Sequence, residues 1–263
     1  MNRFLKRAWA EIDLDALTHN YNEIKKLAKG KEILAVVKAN AYGHDDKTVC
    51  LKLQDLGVKY YGVSNLWEGE KLRQHGITGT ILTFGYTDED YFDELLEYGI
   101  TQTAGSVQYA KELSDYAVSK GVKLPVHIKV NTGMTRVGID TEEEMLDILA
   151  MPGLDCKAAY THFAAADSFD EDDVRYTNKQ QEKLMKIASD KGLLIHSQNS
   201  GGIVYHSDFG GDIVRAGVIL YGHCPNYPLE VPFEMKSVMT VKSVVSQLKT
   251  IPAGTQISYG RTY

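Results

Sequence analysis

The chain has 263 residues, 43% of them hydrophobic and 24% charged, with a net charge of −6. That is enough apolar material for one large core, or one core plus a fragment. The mild acidic balance, with no basic face interleaved with aromatics, excludes nucleic acid as an expected partner.

No apolar run approaches the ~20 residues that span a bilayer. The basic start, Met1 to Arg7, lacks the apolar core of a signal peptide. Cys50, Cys156 and Cys224 have no metal-ligand spacing and read as reduced thiols of a cytoplasmic protein. No metal site is expected.

Along the chain, helical and strand-like stretches alternate. A helix over Leu14–Leu27 opens behind Asp13 as N-cap and closes near Gly30. Apolar strands are expected at Ile33–Val37, Tyr60–Val63, Thr80–Phe84, Gln102–Ala104, Pro125–Val130, Cys156–Thr161, Leu193–Ser197 and Ile213–Leu220. Amphipathic helices fall between them at Thr48–Leu56, Leu66–His75, Glu89–Tyr98, Ser106–Lys120, Thr141–Leu149 and Tyr176–Lys191. A small helix is expected after Ser200. Asp167 to Asp173 reads as a solvated acidic loop.

Near-continuous apolar strands point to a parallel sheet buried on both faces. Eight βα units at this length give an α/β fold of (β/α)8 TIM-barrel type, with an open doubly wound sheet as the alternative. After Gly222 come three prolines, then Met235–Thr250 with partial period-two character. The expected organisation is a barrel over 1–228 and the first strands of an incomplete β-rich C-terminal domain over 229–263, the chain being a piece of a longer protein.

The polar groups at the strand ends form a chemical set. Lys38 ends the first apolar strand, where desolvation favours a neutral, nucleophilic amine suited to a Schiff base. Tyr42 follows four residues on. Other strand ends carry Phe84, Lys129 with the loop Asn131 to Arg136, His162, and Asn199-Ser200-Gly201-Gly202. The last strand contains Arg215, then Gly217 and Val218. Barrels hold their chemistry at this face and bind phosphate after the last two strands. Backbone N–H groups in Gly-rich turns bind anions. An amine beside such a site points to pyridoxal phosphate.

Several segments resemble those of bacterial alanine racemases, fold-type III pyridoxal-phosphate enzymes. They are Arg7-Ala8-Trp9-Ala10-Glu11-Ile12-Asp13-Leu14, Ala35-Val36-Val37-Lys38-Ala39-Asn40-Ala41-Tyr42-Gly43-His44, His127 to Gly138, Tyr160-Thr161-His162-Phe163-Ala164, Asn199 to Gly202 and Val214 to Gly222. The resemblance runs in order through essentially the whole chain. It implies pyridoxal 5'-phosphate held by Lys38, with Tyr42, Ser200, Gly217 and Val218 at its phosphate and Asn199 nearby. It implies His162 against the ring, Arg215 at the pyridine nitrogen, and Arg136 at the phenolic oxygen and the substrate carboxylate. Met134 is expected at the substrate, Phe84 at the cofactor, and Lys129 matches a lysine often carbamylated in the family.

Tyr259 matches the family's second base, which acts opposite Lys38 in the partner subunit's site. Two bases on opposite faces of Cα are what racemisation needs. The implied activity is interconversion of L- and D-alanine, supplying D-alanine for peptidoglycan, in a cytoplasmic homodimer. Serine racemisation, a non-catalytic pyridoxal-phosphate-binding homeostasis barrel and a decarboxylase on a related barrel are the competing readings. The chain departs from the family at Asn131, commonly aspartate, and at Asp45, usually glycine.

Overall fold

The computed structural model describes residues 7–225 and 231–261. It separates into two compact units, Asp13–Val238 and a smaller one combining Met1–Ile12 with Met239–Tyr263. The expected boundary between 228 and 229 lies outside the described residues.

Ten strands are described: β1 (Ala8–Ile12), β2 (Glu32–Val36), β3 (Tyr60–Val63), β4 (Thr80–Thr83), β5 (Thr101–Ala104), β6 (Leu124–Lys129), β7 (Leu154–Tyr160), β8 (Leu194–His196), β9 (Ile213–Ala216) and β10 (Met239–Ser243). Strands β2 to β9 form an eight-stranded parallel sheet in the order β8-β7-β6-β5-β4-β3-β2-β9. The seam between β8 and β9 has no ladder. It is bridged by Asp212 N–H to Ile195 O (2.8 Å), Ile195 N–H to Asp212 Oδ2 (2.7 Å) and Arg215 N–H to Gln198 O (2.8 Å). The sheet is therefore a nearly closed (β/α)8 barrel, and the open-sheet alternative falls.

Local chemistry sets the helix starts. Asp13 Oδ1 accepts from Asp15 N–H and Ala16 N–H ahead of the helix Leu14–Leu27. Thr141 and Glu144 form a capping box at the start of Glu142–Leu149. The acidic run is corrected here: Asp170 caps a helix over Glu171–Ala188, with Glu171, Asp172 and Asp173 in its first turn. Acidic side chains there complement the helix dipole and satisfy free N–H groups, so the cluster begins an element rather than a solvated loop.

The smaller unit pairs β1 antiparallel with β10, Ala8 opposite Ser243 and Ile12 opposite Met239. The expected strand character over Met235–Thr250 is realised only at Met239–Ser243. Strand β1 was not among the expected strands; five residues with a single charge, at Glu11, give little period-two signal.

Candidate active site

Lys38 follows β2 at the C-terminal mouth of the barrel and is half-buried. The next four residues, Ala39, Asn40, Ala41 and Tyr42, all have φ between 53° and 55°. They form a left-handed turn, with Ala41 N–H to Val37 O at 2.9 Å and Gly43 N–H to Ala39 O at 3.0 Å. L-residues avoid this conformation by ~1–2 kcal/mol each, so the surroundings must hold it. Asp45 also lies at φ 69°. Its carboxylate accepts from Thr48 N–H (3.1 Å) and caps the helix Asp46–Asp55.

Four polar side chains are buried on β6, β8 and β9: His127, Lys129, His196 and Arg215. Arg215 is 3% exposed. It donates to three carbonyls, of His196 (2.7 Å), Thr161 (2.7 Å) and Ser197 (2.9 Å). Its Nη1 also meets His196 Nδ1 at 3.2 Å, and its Nη2 meets His162 Nδ1 at 3.4 Å. A guanidinium only donates, so His196 Nδ1 accepts, while the two Nη2 hydrogens go to the nearer carbonyls of Thr161 and Ser197 and His162 Nδ1 only shares one of them. His196 therefore carries its proton on Nε2 and donates it to His127 Nδ1 at 3.1 Å.

Burial, reinforced by Arg215, Lys129, Arg136 and Lys38, pushes His162 down to about 2. Burial pushes His127 down to about 4 and His196 well below its ordinary value. All three are neutral rings around one cation. Arg215, pushed down to about 10 by burial, stays charged at neutral pH.

Tyr160 stacks on His196 (centroids 4.6 Å, 9° between planes), with its hydroxyl on Thr103 Oγ1 at 2.9 Å. Lys129 Nζ lies 4.8 Å from the Tyr160 ring centre. Lys129 is the deeply buried amine of the site, 7% exposed. Desolvation first, then the charges of Arg215 and Arg136, hold its pKa well below the lysine range. The strong burial expected at Lys38 thus falls on Lys129.

Opposite lies a cradle of small groups. Asn199 caps the short helix Ser200–Tyr205 through Gly202 N–H (3.0 Å), and Gly217 N–H reaches Ser200 Oγ at 3.2 Å. A Cβ on Gly217 would come within 3.3 Å of the Tyr42 hydroxyl and 3.5 Å of Ser200 Oγ. Hydroxyls from two loops and bare backbone thus converge on one spot. The loop after β6 is shaped by Asn131, whose Oδ1 accepts from Gly133 N–H (3.2 Å) and Thr135 N–H (2.9 Å). Asn131 Nδ2 donates to Asp140 Oδ1 at 2.9 Å, a bond that an aspartate could not make.

These groups line one cavity of ≈ 290 Å³. Lys38, Tyr42, Phe84, Lys129, Met134, Arg136, His162, Asn199, Ser200, Arg215, Gly217 and Val218 all contribute. Tyr259 belongs to the smaller unit, where it opens a short turn and is 99% exposed. The sequence reading did not single out Val36, Val137, Tyr160, Asp167 or Pro225, which also line the cavity. Nor did it single out His196 behind it. Period-two alternation would have found two of these: Tyr160 lies two residues before His162, and His196 sits on the inner face of the next strand. No group of three or more His, Cys, Asp or Glu residues among those described could hold a metal ion. No described helix is long and apolar enough to cross a membrane.

The family model for the N-terminal domain of alanine racemase matches residues 12–225. The chain belongs to the alanine racemase family. It is 38% identical over 274 aligned residues to the alanine racemase of Clostridium perfringens (strain SM101 / Type A), covering 100% of this chain and 70% of that protein. Among solved structures it is similar to the alanine racemase of Clostridium difficile 630, with a TM-score of 0.91 and 34% identity over 99% of this chain and 70% of that one. It is also similar to a histidine racemase from Leuconostoc mesenteroides subsp. sake, with a TM-score of 0.89 and 28% identity over 100% of this chain and 72% of that one.

Alanine racemases are isomerases that use pyridoxal phosphate, and the residues here fit that group. The space a Cβ on Gly217 would fill, two hydroxyls beside it, and lysine and arginine side chains around the cavity match an anionic ring compound with an aldehyde.

Proposed function

We propose that this chain racemises alanine with pyridoxal 5'-phosphate held by Lys38. The observation that carries the reading is that one cavity at the barrel mouth gathers Lys38, Arg136, His162 and Arg215 with Tyr42, Ser200 and Gly217. Bound there, pyridoxal phosphate supplies an aldehyde for amines and an electron sink that acidifies the substrate Cα–H.

The chain's residues do the rest. Tyr42, Ser200, Gly217 and Val218 hold the phosphate, with Asn199 fixing the short helix behind them. Phe84 and His162 confine the ring. Arg215, charged and locked by carbonyls, donates to the pyridine nitrogen. Arg136 takes the phenolic oxygen and the substrate carboxylate, beside Met134. Lys38 moves the proton on one face of Cα. Tyr259, from a partner subunit, moves it on the other, and its full exposure leaves the phenol open to such a role. The unit over Asp13–Val238 carries the cofactor, and the smaller unit that joins Met1–Ile12 with Met239–Tyr263 offers Tyr259. The setting is a cytoplasmic homodimer that supplies D-alanine.

Lys129 is carbamylated in this reading. A desolvated amine is neutral and attacks carbon dioxide, losing a proton as the N–C bond forms. The anion gained faces Arg136 and Arg215, whose charges already bear on this amine. Carbon-13 NMR after equilibration with labelled bicarbonate should show a carbamate signal that disappears in Lys129→Ala. No such signal in the parent chain counts against it.

The activity test is direct. With pyridoxal phosphate the chain develops a visible absorbance band, and Lys38→Ala does not. With L-alanine in D2O, the α-proton exchanges and D-alanine accumulates, faster than with L-histidine or L-serine. No exchange with any of them overturns the reading. Exchange without D-product overturns the role of Tyr259. Faster turnover of histidine would move the substrate assignment toward the Leuconostoc neighbour.

A further inference from the structure

The left-handed turn behind Lys38 is closed at both ends by side chains from outside it. At its start, Glu68 Oε1 accepts from Ala39 N–H at 2.8 Å, while Oε2 accepts from Ser64 N–H at 2.7 Å. Glu68 is itself fixed, its N–H bonded to the cap residue Asn65 at 3.1 Å. One carboxylate thus ties the peptide immediately after Lys38 to the loop after β3.

At the end of the turn, His44 Nδ1 sits 3.0 Å from Ala41 O and 3.1 Å from Tyr42 O. Facing two acceptors, it carries the proton and donates. The His44 ring rests on Tyr221 at 4.6 Å between centroids. A turn of either hand leaves its first N–H and last C=O groups without internal partners. Here Glu68 takes the first N–H; at the far end Ala41 O also accepts from His44 N–H (3.0 Å), and the described partner of Tyr42 O is the His44 ring.

We propose that Glu68 and His44 are positioning residues: they cap this turn and thereby set where Lys38 presents its amine and Tyr42 its hydroxyl. The proposal rests on the reading of Lys38 as the cofactor lysine, and it names two residues outside the cavity lining.

Glu68→Gln is isosteric but retains one acceptor for two N–H groups. The loss of a bond to a charged acceptor should weaken condensation of Lys38 with pyridoxal 5'-phosphate by about tenfold, read from the visible band. Without cofactor, amide exchange at Ala39 or Ser64 should quicken by a similar factor. Ala39 is exposed, so Ala39→Gly removes the left-handed penalty without losing packing. Added to Glu68→Gln, it should restore the band without slowing exchange at whichever of the two amides lost its acceptor. A residue that merely stabilised the fold would shift melting and leave condensation in the folded chain unchanged.

Equal condensation by wild type and Glu68→Gln overturns the proposal, as does failure of Ala39→Gly to restore it. His44→Phe keeps the ring on Tyr221 and loses the donor. It should show the same loss, and it carries the test if Glu68→Gln does not fold. A wild-type chain that forms no band would sink the reading of Lys38 first. Amide exchange in the cofactor-free variants would still judge the caps by themselves.

Discussion

Arg215 is the residue that orders its neighbours. Its guanidinium has no acidic partner among the bonds described; three carbonyls and two imidazoles receive it. A buried cation is costly without such acceptors. The histidines accept because they are neutral, and burial keeps them so. This has a measurable consequence for stability. His127 and His196 are almost fully buried, with folded pKa values pushed down, to about 4 for His127. In the unfolded chain they titrate near ~6.5.

The unfolded state therefore binds more protons as pH falls through that value. The stability held above pH ~6.5 is lost as pH falls toward the folded pKa values, by up to about 1.4 kcal/mol per pH unit for each histidine. Urea midpoints between about pH 7 and about pH 5 read together all the histidines that burial pushes down, His44, His162 and His206 included, because most carboxylates titrate lower. A steady decline is expected over that window, and a flat profile contradicts neutral histidines around Arg215.

At the scale of elements, the barrel places its site by leaving room. A Cβ on Gly62 in β3 would sit 2.6 Å from the Phe84 ring and 2.7 Å from Leu34 Cδ2. Leu34 is fully buried, so Phe84 must swing toward the cavity. Gly62→Ala should cost about 1–3 kcal/mol and weaken cofactor binding, as overpacked cores do. Thermal denaturation and titration with pyridoxal phosphate check it; an unchanged midpoint contradicts the packing.

The strands of the barrel were legible because each is a short apolar run between polar turns. Their mouth residues were legible because lysine, histidine and arginine stand out at the ends of such runs. The left-handed turn was not. Ala39, Ala41 and Tyr42 carry no signal for positive φ, and what holds them is Glu68, some thirty residues on. The seam at β8 and β9 was hidden too, because it rests on the Asp212 side chain and irregular backbone. Tyr160 and His196 hide behind their neighbours, as inner-face aromatic residues in strands usually read as core.

For the whole molecule, charge is unevenly used. The chain carries a net −6, yet its cavity gathers Lys38, Lys129, Arg136 and Arg215 against the single carboxylate of Asp167 among the described residues lining it. A site so biased attracts anions. That arrangement suits a phosphorylated aldehyde and an amino-acid carboxylate, and it leaves two lysines competing for the aldehyde.

Lys38 is the one that takes it, because Lys38 stands at the barrel mouth beside the Tyr42–Ser200–Gly217 cradle, whereas Lys129 lies packed against Tyr160. The most direct measurement is to add pyridoxal phosphate, reduce with borohydride and map the modified peptide by mass spectrometry. One modified lysine is expected, Lys38. Modification at Lys129, or spread over surface lysines with Lys38 untouched, would contradict it.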